Sequence, residues 1–223
     1  MQVTSYLASS TAPQPIAGQQ LKEQIETAIH QLIAALILLL ISPLLLFISA
    51  MIWRVDGSPV FFGHYRVGRD GRLFRCLKFR SMRRDSEQVL ARLLAEDPAA
   101  KAEWERDQKL AHDPRITPIG RFIRKTSLDE LPQLINVLRG EMRLVGPRPV
   151  TPPELMRYGS TRWHYVSVRP GITGLWQVSG RNKTTYEERV ELDRRYVESA
   201  NPMTDLKILC RTVYVVLTGH GAC

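Results

Sequence analysis

The sequence predicts a mainly α fold with small β elements (α+β), in which a membrane-associated helix precedes a compact cytosolic domain. Three features lead to this prediction: a long uncharged apolar segment, a stretch in which apolar and basic residues alternate, and several charged segments of helical composition. The 223 residues fit one domain with a short additional segment. A second full domain is therefore not expected.

Residues 1–20 contain Ser, Thr, Ala, Gln and Pro but no charged residue, a composition that predicts a flexible tail. The three cysteines, Cys76, Cys210 and Cys223, lie far apart and show neither paired nor metal-ligand spacing. We therefore expect the body to face the reducing cytosol.

The apolar segment from Leu32 to Trp53 has no charged residue, and we assign residues 21–57 to a membrane-associated helix. Ser42-Pro43 lies at its midpoint, where proline removes a helical hydrogen bond. A straight apolar segment would reach about 33 Å and cross the hydrocarbon, whereas a sharply bent one would re-enter the same face. The residues alone leave both topologies open. The basic residues from Arg54 to Arg84 place that side in the cytosol in either case.

Residues 58–223 are expected to form the cytosolic domain. Apolar and basic residues alternate on both sides of Arg69-Asp-Gly71, which predicts a β-hairpin within Ser58 to Met82. Ser86 to Leu110 predicts two solvated helices separated at Pro98. The later predicted elements are a helix from Glu130 to Leu138 ended by Gly140, a strand from Leu175 to Val178, a helix from Thr185 to Val197 and an apolar helix from Leu206 to Leu217.

The adjacent carboxylates Asp129 and Glu130 are the main candidates for chemistry. A capping box formed by Ser127 and Glu130 would place Pro132 at the fifth helical position, where it costs a hydrogen bond. If Asp129 is the N-cap, Pro132 occupies the third helical position, where the helix needs no amide hydrogen for its backbone hydrogen bonds. Both carboxylates are then predicted at a helix N-terminus, whose positive dipole end favours their ionised forms. The ionised carboxylates offer oxygen ligands to a hard divalent cation, and the free amides of the first helical turn can bind phosphate. Simple N-capping without chemistry is the alternative.

Basic residues surround this pair in the sequence. They are Arg115, Arg121, Arg124, Lys125, Arg139, Arg143 and Arg148. Phosphoryl transfer depends mainly on positioning and on neutralising charge, so carboxylates, a divalent ion and arginines supply the necessary parts. Arg148 lies between Pro147 and Pro149, which stiffen its backbone and reduce the entropy lost in presenting its guanidinium.

Several separate stretches together resemble a known family. They are Lys78-Phe-Arg-Ser-Met82, Ser127-Leu-Asp-Glu-Leu-Pro-Gln-Leu-Ile-Asn-Val137, Val145-Gly-Pro-Arg-Pro149, Arg169-Pro-Gly-Ile-Thr-Gly-Leu-Trp-Gln177 and Ser179-Gly-Arg181. The chain resembles the bacterial sugar transferases, specifically the monotopic polyprenyl-phosphate phosphoglycosyl transferases. The resemblance extends from about Glu23 to the C-terminus, and short members that initiate exopolysaccharide assembly are the most similar.

The resemblance implies an enzyme that works by a ping-pong reaction. The residue matching Asp129 attacks the sugar-bearing phosphate of a UDP-sugar, releases UMP and holds the sugar phosphate covalently, and polyprenyl (undecaprenyl) phosphate then accepts it. Glu130 matches the partner carboxylate that binds Mg²⁺ together with Asp129. The matching basic positions around the phosphates are Lys78, Arg80, Arg124 and Arg148. UDP-galactose or UDP-glucose is the implied donor.

The resemblance also implies a membrane topology and a place in the cell. Family members carry a helix broken at a Ser-Pro pair, here Ser42-Pro43, that enters and leaves by the cytosolic face of the bacterial inner (cytoplasmic) membrane. Downstream glycosyltransferases are then possible partners. The additional N-terminal membrane helices and domain of long members have no counterpart in this chain, which suggests a minimal catalytic unit. Arg143 stands where many relatives carry a small residue.

Two other function classes compete with this interpretation. A membrane-tethered nucleic-acid binder would also be basic, but the sequence has no recognisable reading helix, zinc pattern or aromatic RNA platform, so no nucleic-acid partner is expected. A non-catalytic scaffold bound to anionic lipid would explain the basic stretch from Arg54 to Arg84 by surface attraction alone. Release of UMP from UDP-sugars separates that scaffold from an enzyme.

Overall fold

The computed structural model describes residues 17–107, 109–180 and 184–218. Most of the predicted tail lies outside the described residues, but residues 17–20 already belong to the first helix, α1, which runs from Ala17–Asp56. Its part from Glu23–Asp56 is long and apolar enough to cross a membrane, by length and composition only. The predicted membrane-associated helix is thus present as a helix.

Helix α1 continues through Pro43 without interruption. Pro43 has no amide hydrogen to donate to the carbonyl of Leu39, and the hydroxyl of Ser42 donates to that carbonyl instead, at 2.9 Å. The Ser-Pro pair therefore leaves no unpaired acceptor at this carbonyl, which matters in a surrounding without water. The re-entrant path itself stays a prediction.

Strands β1 (Phe61–Val67) and β2 (Leu73–Phe79) form the predicted antiparallel hairpin. The turn contains Asp70 and Gly71 at positive φ, 56° and 72°. Phe62 pairs with Lys78 and His64 with Cys76. Helices α2 (Ser86–Glu96) and α3 (Pro98–Asp107) follow, and their boundary at Pro98 is as predicted.

Helix α4 (Pro118–Lys125) begins at Thr117, whose hydroxyl accepts the amide of Gly120 at 2.9 Å. A Cβ at Gly120 would lie 1.9 Å from the carbonyl oxygen of Ser81, so only glycine lets α4 pack directly on the chain that leaves β2. This contact brings Arg124 beside the end of the hairpin.

The predicted helix from Glu130 to Leu138 is shorter in the structure. A 3₁₀ turn covers Leu128–Glu130, and helix α5 covers Gln133–Leu138. Gly140 follows α5 at a positive φ of 72°, as expected for a residue that ends a helix.

Five more helices and two short strands follow in the described part of the chain. They are β3 (Arg143–Val145), α6 (Pro152–Met156), α7 (Arg162–Val166), β4 (Gly171–Thr173), α8 (Leu175–Val178), α9 (Tyr186–Ser199) and α10 (Pro202–Thr218). The predictions of α9 and α10 are confirmed within a few residues.

The predicted strand from Leu175 to Val178 is wrong, because these residues form helix α8. Strand pairing falls on Gly171–Thr173 instead, parallel to β3. A Cβ at Gly171 would lie 2.1 Å from the amide nitrogen of Gly146, and one at Gly174 would lie 2.1 Å from its carbonyl oxygen. The two backbones approach at the glycines, which a pattern of apolar side chains does not reveal.

Three apolar clusters hold these elements together. One places Ala34 of α1 against Leu134, Val137 and Val145. A second surrounds Tyr158 and Tyr165, and a third joins Ile48 and Ile52 of α1 to Phe79 and Ile123. Helix α1 is therefore packed on the body by both of its halves.

The fully buried side chain of Asn136 joins α5 to β2. Its Nδ2 donates to the carbonyl of Arg75 at 2.8 Å and to Glu141 Oε2 at 2.6 Å, and its Oδ1 accepts the amide of Leu77 at 2.9 Å. Because unpaired buried polar groups are costly, this amide fixes the position of α5 on the strand.

Replacing Asn136 with Asp should lower the melting temperature in detergent micelles markedly. The new carboxylate cannot donate to the Arg75 carbonyl and faces the carboxylate of Glu141, at a cost of about 2 to 4 kcal/mol. Asn201→Asp is the control, because exposed Asn201 accepts the amide of Thr204 at 2.9 Å and aspartate caps equally well. Equal melting of the two variants would show that the Asn136 contacts contribute little.

Candidate active site

A cleft of about 930 Å³ opens beside the hairpin. The hairpin contributes Phe62, His64 and Lys78 to its lining, and Arg124, Asp129 and Arg148 also line it. Residues 83–88, which include the start of α2, complete this part of the lining. Five of the six side chains predicted for the site line this cleft, and the sixth, Glu130, contacts Lys78 at its edge.

The carboxylate pair lies on the 3₁₀ turn Leu128–Glu130 and does not cap a helix. Glu130 donates its amide to the Ser127 carbonyl at 3.3 Å, and α5 begins only after Pro132. The prediction of Asp129 as the N-cap is therefore wrong. Pro132 has no amide hydrogen and cannot donate the next backbone hydrogen bond of the 3₁₀ turn. The turn therefore ends before Pro132, and a separate helix begins after it.

Lys78, on strand β2, places its ammonium near both carboxylates of the pair. Its Nζ donates to Glu130 Oε1 at 2.7 Å and lies 3.7 Å from Asp129 Oδ2. Arg148 Nη1 lies 3.6 Å from the same Glu130 oxygen. Four predicted residues from three separate segments thus form one charged group.

Burial raises the pKa of Asp129 above its ordinary value, although the charges of Lys78 and Arg124 act in the opposite direction. The sequence-based expectation of a site that favours the ionised form omitted this loss of solvation. A poorly solvated carboxylate is more basic, which suits a nucleophile, and Lys78 offsets part of the cost of its charge.

The other two predicted basic residues have different surroundings. Arg124 donates its Nε to Ser81 Oγ at 2.9 Å and reaches Asp129 only through its electrostatic field. Arg80 contacts the end of α1, where its Nη2 donates to the carbonyls of Asp56 at 2.9 Å and Gly57 at 2.6 Å. Arg80 therefore also anchors the membrane-associated helix to the hairpin.

Trp176 and Arg189 support the site and were not singled out in the sequence. The guanidinium of Arg148 lies 5.7 Å from the centre of the Trp176 ring, and that of Arg189 lies 4.7 Å from it. Trp176 donates its Nε1 to Thr184 Oγ1 at 2.7 Å. We did not expect the contact between Trp176 and Arg148, because the sequence predicted a strand where the structure has the helical turn α8.

A buried carboxylate, Asp193 on α9, was also missed. It is 2% exposed and accepts the hydroxyl of Tyr158 at 2.8 Å. Burial raises the pKa of Asp193 to about 6, against the lowering effect of the nearby Arg189 and Arg148. Its signal in the sequence is weak, because it lies in a helix rich in charged residues.

Asp129 and Glu130 are the two side chains of the site that could hold a magnesium ion. Both carboxylates already converge on one cation, the ammonium of Lys78. Within residues 17–107, 109–180 and 184–218, no group of three His, Cys, Asp or Glu side chains could hold a metal by itself. Mg²⁺ commonly uses one or two carboxylates, several waters and substrate phosphates, so the two available ligands are sufficient.

Comparison with known proteins places the chain in a family. Residues 21–219 match the family described as bacterial sugar transferase. The chain is similar to the undecaprenyl-phosphate galactose phosphotransferase of Salmonella typhimurium, with 55% identity over 84% of this chain and 39% of that protein. It is 56% identical to a UDP-galactose-lipid carrier transferase of Erwinia amylovora, over 83% of this chain and 39% of that protein.

A third relative is matched over most of its length. The exopolysaccharide production protein ExoY of Rhizobium meliloti is 44% identical over 95% of this chain and 91% of that protein. The chain thus spans about two fifths of the Salmonella and Erwinia proteins and nearly all of the Rhizobium protein.

The raised pKa of Asp193 predicts a pH-dependent stability difference. Because the folded protein holds this proton more tightly than the unfolded chain, its stabilising effect is complete below about pH 4. It is lost as the pH rises toward the folded pKa of about 6. The melting temperature of Asp193→Asn minus that of the wild type should therefore increase from pH 4 to 6 and then level off.

Asp85→Asn is the control for that measurement, because Arg83 lowers the pKa of the exposed Asp85. Because a lowered pKa makes the stabilising effect of ionised Asp85 complete above about pH 4, the difference between Asp85→Asn and the wild type should stay nearly constant from pH 4 to 6. A flat difference for Asp193→Asn would contradict the assignment of a buried, proton-holding carboxylate.

Proposed function

Because the chain belongs to the bacterial sugar transferase family, we propose that it transfers a sugar 1-phosphate from a UDP-sugar to undecaprenyl phosphate and releases UMP. The observation that carries this proposal is the Asp129–Glu130 pair held by Lys78 and Arg148 in the cleft. UDP-galactose is the first donor to test, since two similar proteins are named for galactose transfer. The reaction would be the first membrane step of exopolysaccharide assembly.

In the first step, an oxygen of the Asp129 carboxylate attacks the phosphorus next to the sugar. A phosphorus–oxygen bond to Asp129 forms, and the bond from that phosphorus to the bridging oxygen breaks. UMP leaves with the bridging oxygen and its electron pair. Because the carboxylate approaches an anionic diphosphate, the cations Lys78 and Arg148 must offset the repulsion.

Glu130 and its partners arrange this charge. Its carboxylate holds Lys78 at 2.7 Å, close to Asp129, and lies within 3.6 Å of Arg148. Trp176 lies beside the guanidinium of Arg148 and restricts its movement. A magnesium ion bound by Asp129 and Glu130 would add charge neutralisation at the phosphate oxygens.

In the second step, a phosphate oxygen of undecaprenyl phosphate attacks the same phosphorus. The bond to Asp129 breaks, its electron pair returns to the carboxylate, and a sugar diphospholipid leaves. Two easier displacements thus replace one, and the enzyme returns to its starting state.

The contacts of α1 support the re-entrant topology at the cytosolic face of the inner membrane. Near its start, Glu23 pairs with Arg169 at 2.5 Å, and near its end Asp56 pairs with Arg80 at 3.2 Å. Between them Leu40 and Phe47 are exposed. Because both ends of α1 contact the same body, we expect them to lie on the same side of the bilayer.

Sugar-labelled UDP-galactose should leave label on the wild-type protein in the absence of acceptor, and none on Asp129→Asn, which keeps the side-chain shape but not the nucleophilic charge. The label is measured by mass spectrometry of peptides. Asp97→Asn is the matched control, since Asp97 does not line the cleft and accepts the amide of Ala99 at 2.8 Å, which asparagine can also do. Label on another residue would overturn the assignment of Asp129.

Topology is tested with single cysteines in a chain whose own cysteines are replaced by serine. A cysteine at Ala8 and one at Glu105 should both be protected from a membrane-impermeant thiol reagent in intact cells and react after lysis. The residue at Glu105 is the control, because the body lies in the cytosol under either topology. Reaction at Ala8 alone in intact cells would show that α1 spans the membrane.

A further inference from the structure

The end of the cleft nearest α1 contains a second group of basic residues, separate from Lys78 and Arg148. We propose that this group, Arg80 and Arg84 with Pro59 and Phe62, binds the phosphate of the lipid acceptor. We call it the Arg80–Arg84 corner. The proposal rests on the proposed function and divides its two phosphate substrates between two sets of cations.

Arg80 has hydrogen-bonding capacity that the fold does not use. Its side chain is 8% exposed and lines the cleft, and only Nη2 is engaged, with the Asp56 and Gly57 carbonyls and the Asp56 carboxylate. Nε and Nη1 are buried and have no hydrogen-bond partner within the part of the chain that the structure describes. Unsatisfied buried N–H groups are costly, and a rotation of the guanidinium toward the cleft would let a phosphate oxygen accept them.

Arg84 adds a charge that no acidic side chain in the described part of the chain compensates. Its backbone amide donates to Asp56 Oδ2 at 2.9 Å, which fixes its backbone next to Arg80. Its exposed guanidinium makes no ion pair with another described residue. Asp85 is already paired with Arg83 at 2.9 Å. The corner therefore keeps a net positive charge even though Asp56 offsets Arg80.

The surroundings of the corner suit a lipid rather than a nucleotide. The amide of Arg80 donates to the carbonyl of Val60 at 2.9 Å, which places Arg80 beside the exposed ring of Phe62. Trp53 and Val55, in the last turns of the apolar helix, are 63% and 50% exposed. A soluble UDP-sugar has no need of Trp53 and Val55, which lie on the apolar helix outside the cleft. A phosphate carried on an isoprenoid chain can use both the charge and the apolar surface.

The corner is also continuous with the reacting carboxylate. Ser81 follows Arg80 directly, and its hydroxyl accepts Arg124 Nε at 2.9 Å. Arg124 and Asp129 in turn line the same cleft as Arg80. A phosphate that enters at the corner can thus move along a row of cations toward Asp129. This continuity favours the acceptor over a structural phospholipid, which would have no need to approach Asp129.

The test separates the two half-reactions in nanodiscs. Arg84→Ala and Arg80→Lys are first labelled with sugar-labelled UDP-galactose and then chased with undecaprenyl phosphate. Label should form in both variants, while the acceptor concentration needed for half-maximal chase rises about tenfold or more, as expected for one lost contact to a charged group. Arg92→Ala, exposed on α2, should match the wild type. An unchanged acceptor dependence in Arg84→Ala would overturn the proposal.

Direct binding makes the test independent of catalysis. Wild-type protein should bind undecaprenyl phosphate without any UDP-sugar, and Arg84→Ala should bind it about tenfold more weakly or worse. Undecaprenol and inorganic phosphate should not compete. Equal competition by phosphatidylglycerol would identify a general anionic-lipid site and overturn the proposal. If no UDP-sugar labels the protein but this Arg84-dependent binding persists, the proposed function fails and the corner stands.

Discussion

The buried amide of Asn136 holds helix α5 against strand β2, and the position of the carboxylate pair depends on that contact. Its hydrogen bonds reach the backbone of Arg75 and Leu77. Lys78 is the next residue on the strand, and the pair lies one turn before α5. A shift of α5 along the strand would break both of these hydrogen bonds, so Lys78 and Glu130 meet at 2.7 Å in a fixed register.

The charges of the site are shared rather than paired one to one. Glu130 contacts both Lys78 and Arg148, while Asp193 lies buried behind Arg148 and Arg189. Partial compensation lets the cations remain close together without a substrate and still attract phosphate. The indole of Trp176 between two guanidinium groups adds a flat surface against which their planes can rest.

The membrane helix satisfies two demands that usually conflict. Its apolar middle must leave no backbone group unpaired in lipid, and the hydroxyl of Ser42 meets this demand at the acceptor that Pro43 leaves free. Its ends must stay attached to a polar body, and Glu23 and Asp56 do so through arginines. The same arginine that receives the end of the helix, Arg80, lines the cleft. Membrane attachment and the cleft therefore share a residue.

The sequence by itself determined the elements whose signals are local. The uncharged segment predicts α1, and the alternation of apolar and basic residues around Gly71 predicts the hairpin. Pro98 separates α2 from α3, and Thr185 begins α9. Each of these signals depends only on residues that are neighbours in the sequence. The stretches around Lys78, Asp129 and Arg148 indicated the family and the site residues, although no local pattern shows that they meet.

Only the tertiary structure decided how those residues are used. Pro132 ends a 3₁₀ turn and does not lie within a helix, because the next backbone hydrogen bond of the turn would need the amide hydrogen that proline lacks. Glycines at 146, 171 and 174 moved the last strand and placed Trp176 on a helical turn beside Arg148. The raised pKa of Asp129 and the unpaired nitrogens of Arg80 come from burial by segments distant in sequence. Burial and long-range contact are properties of the packed chain, and neighbouring residues do not encode them.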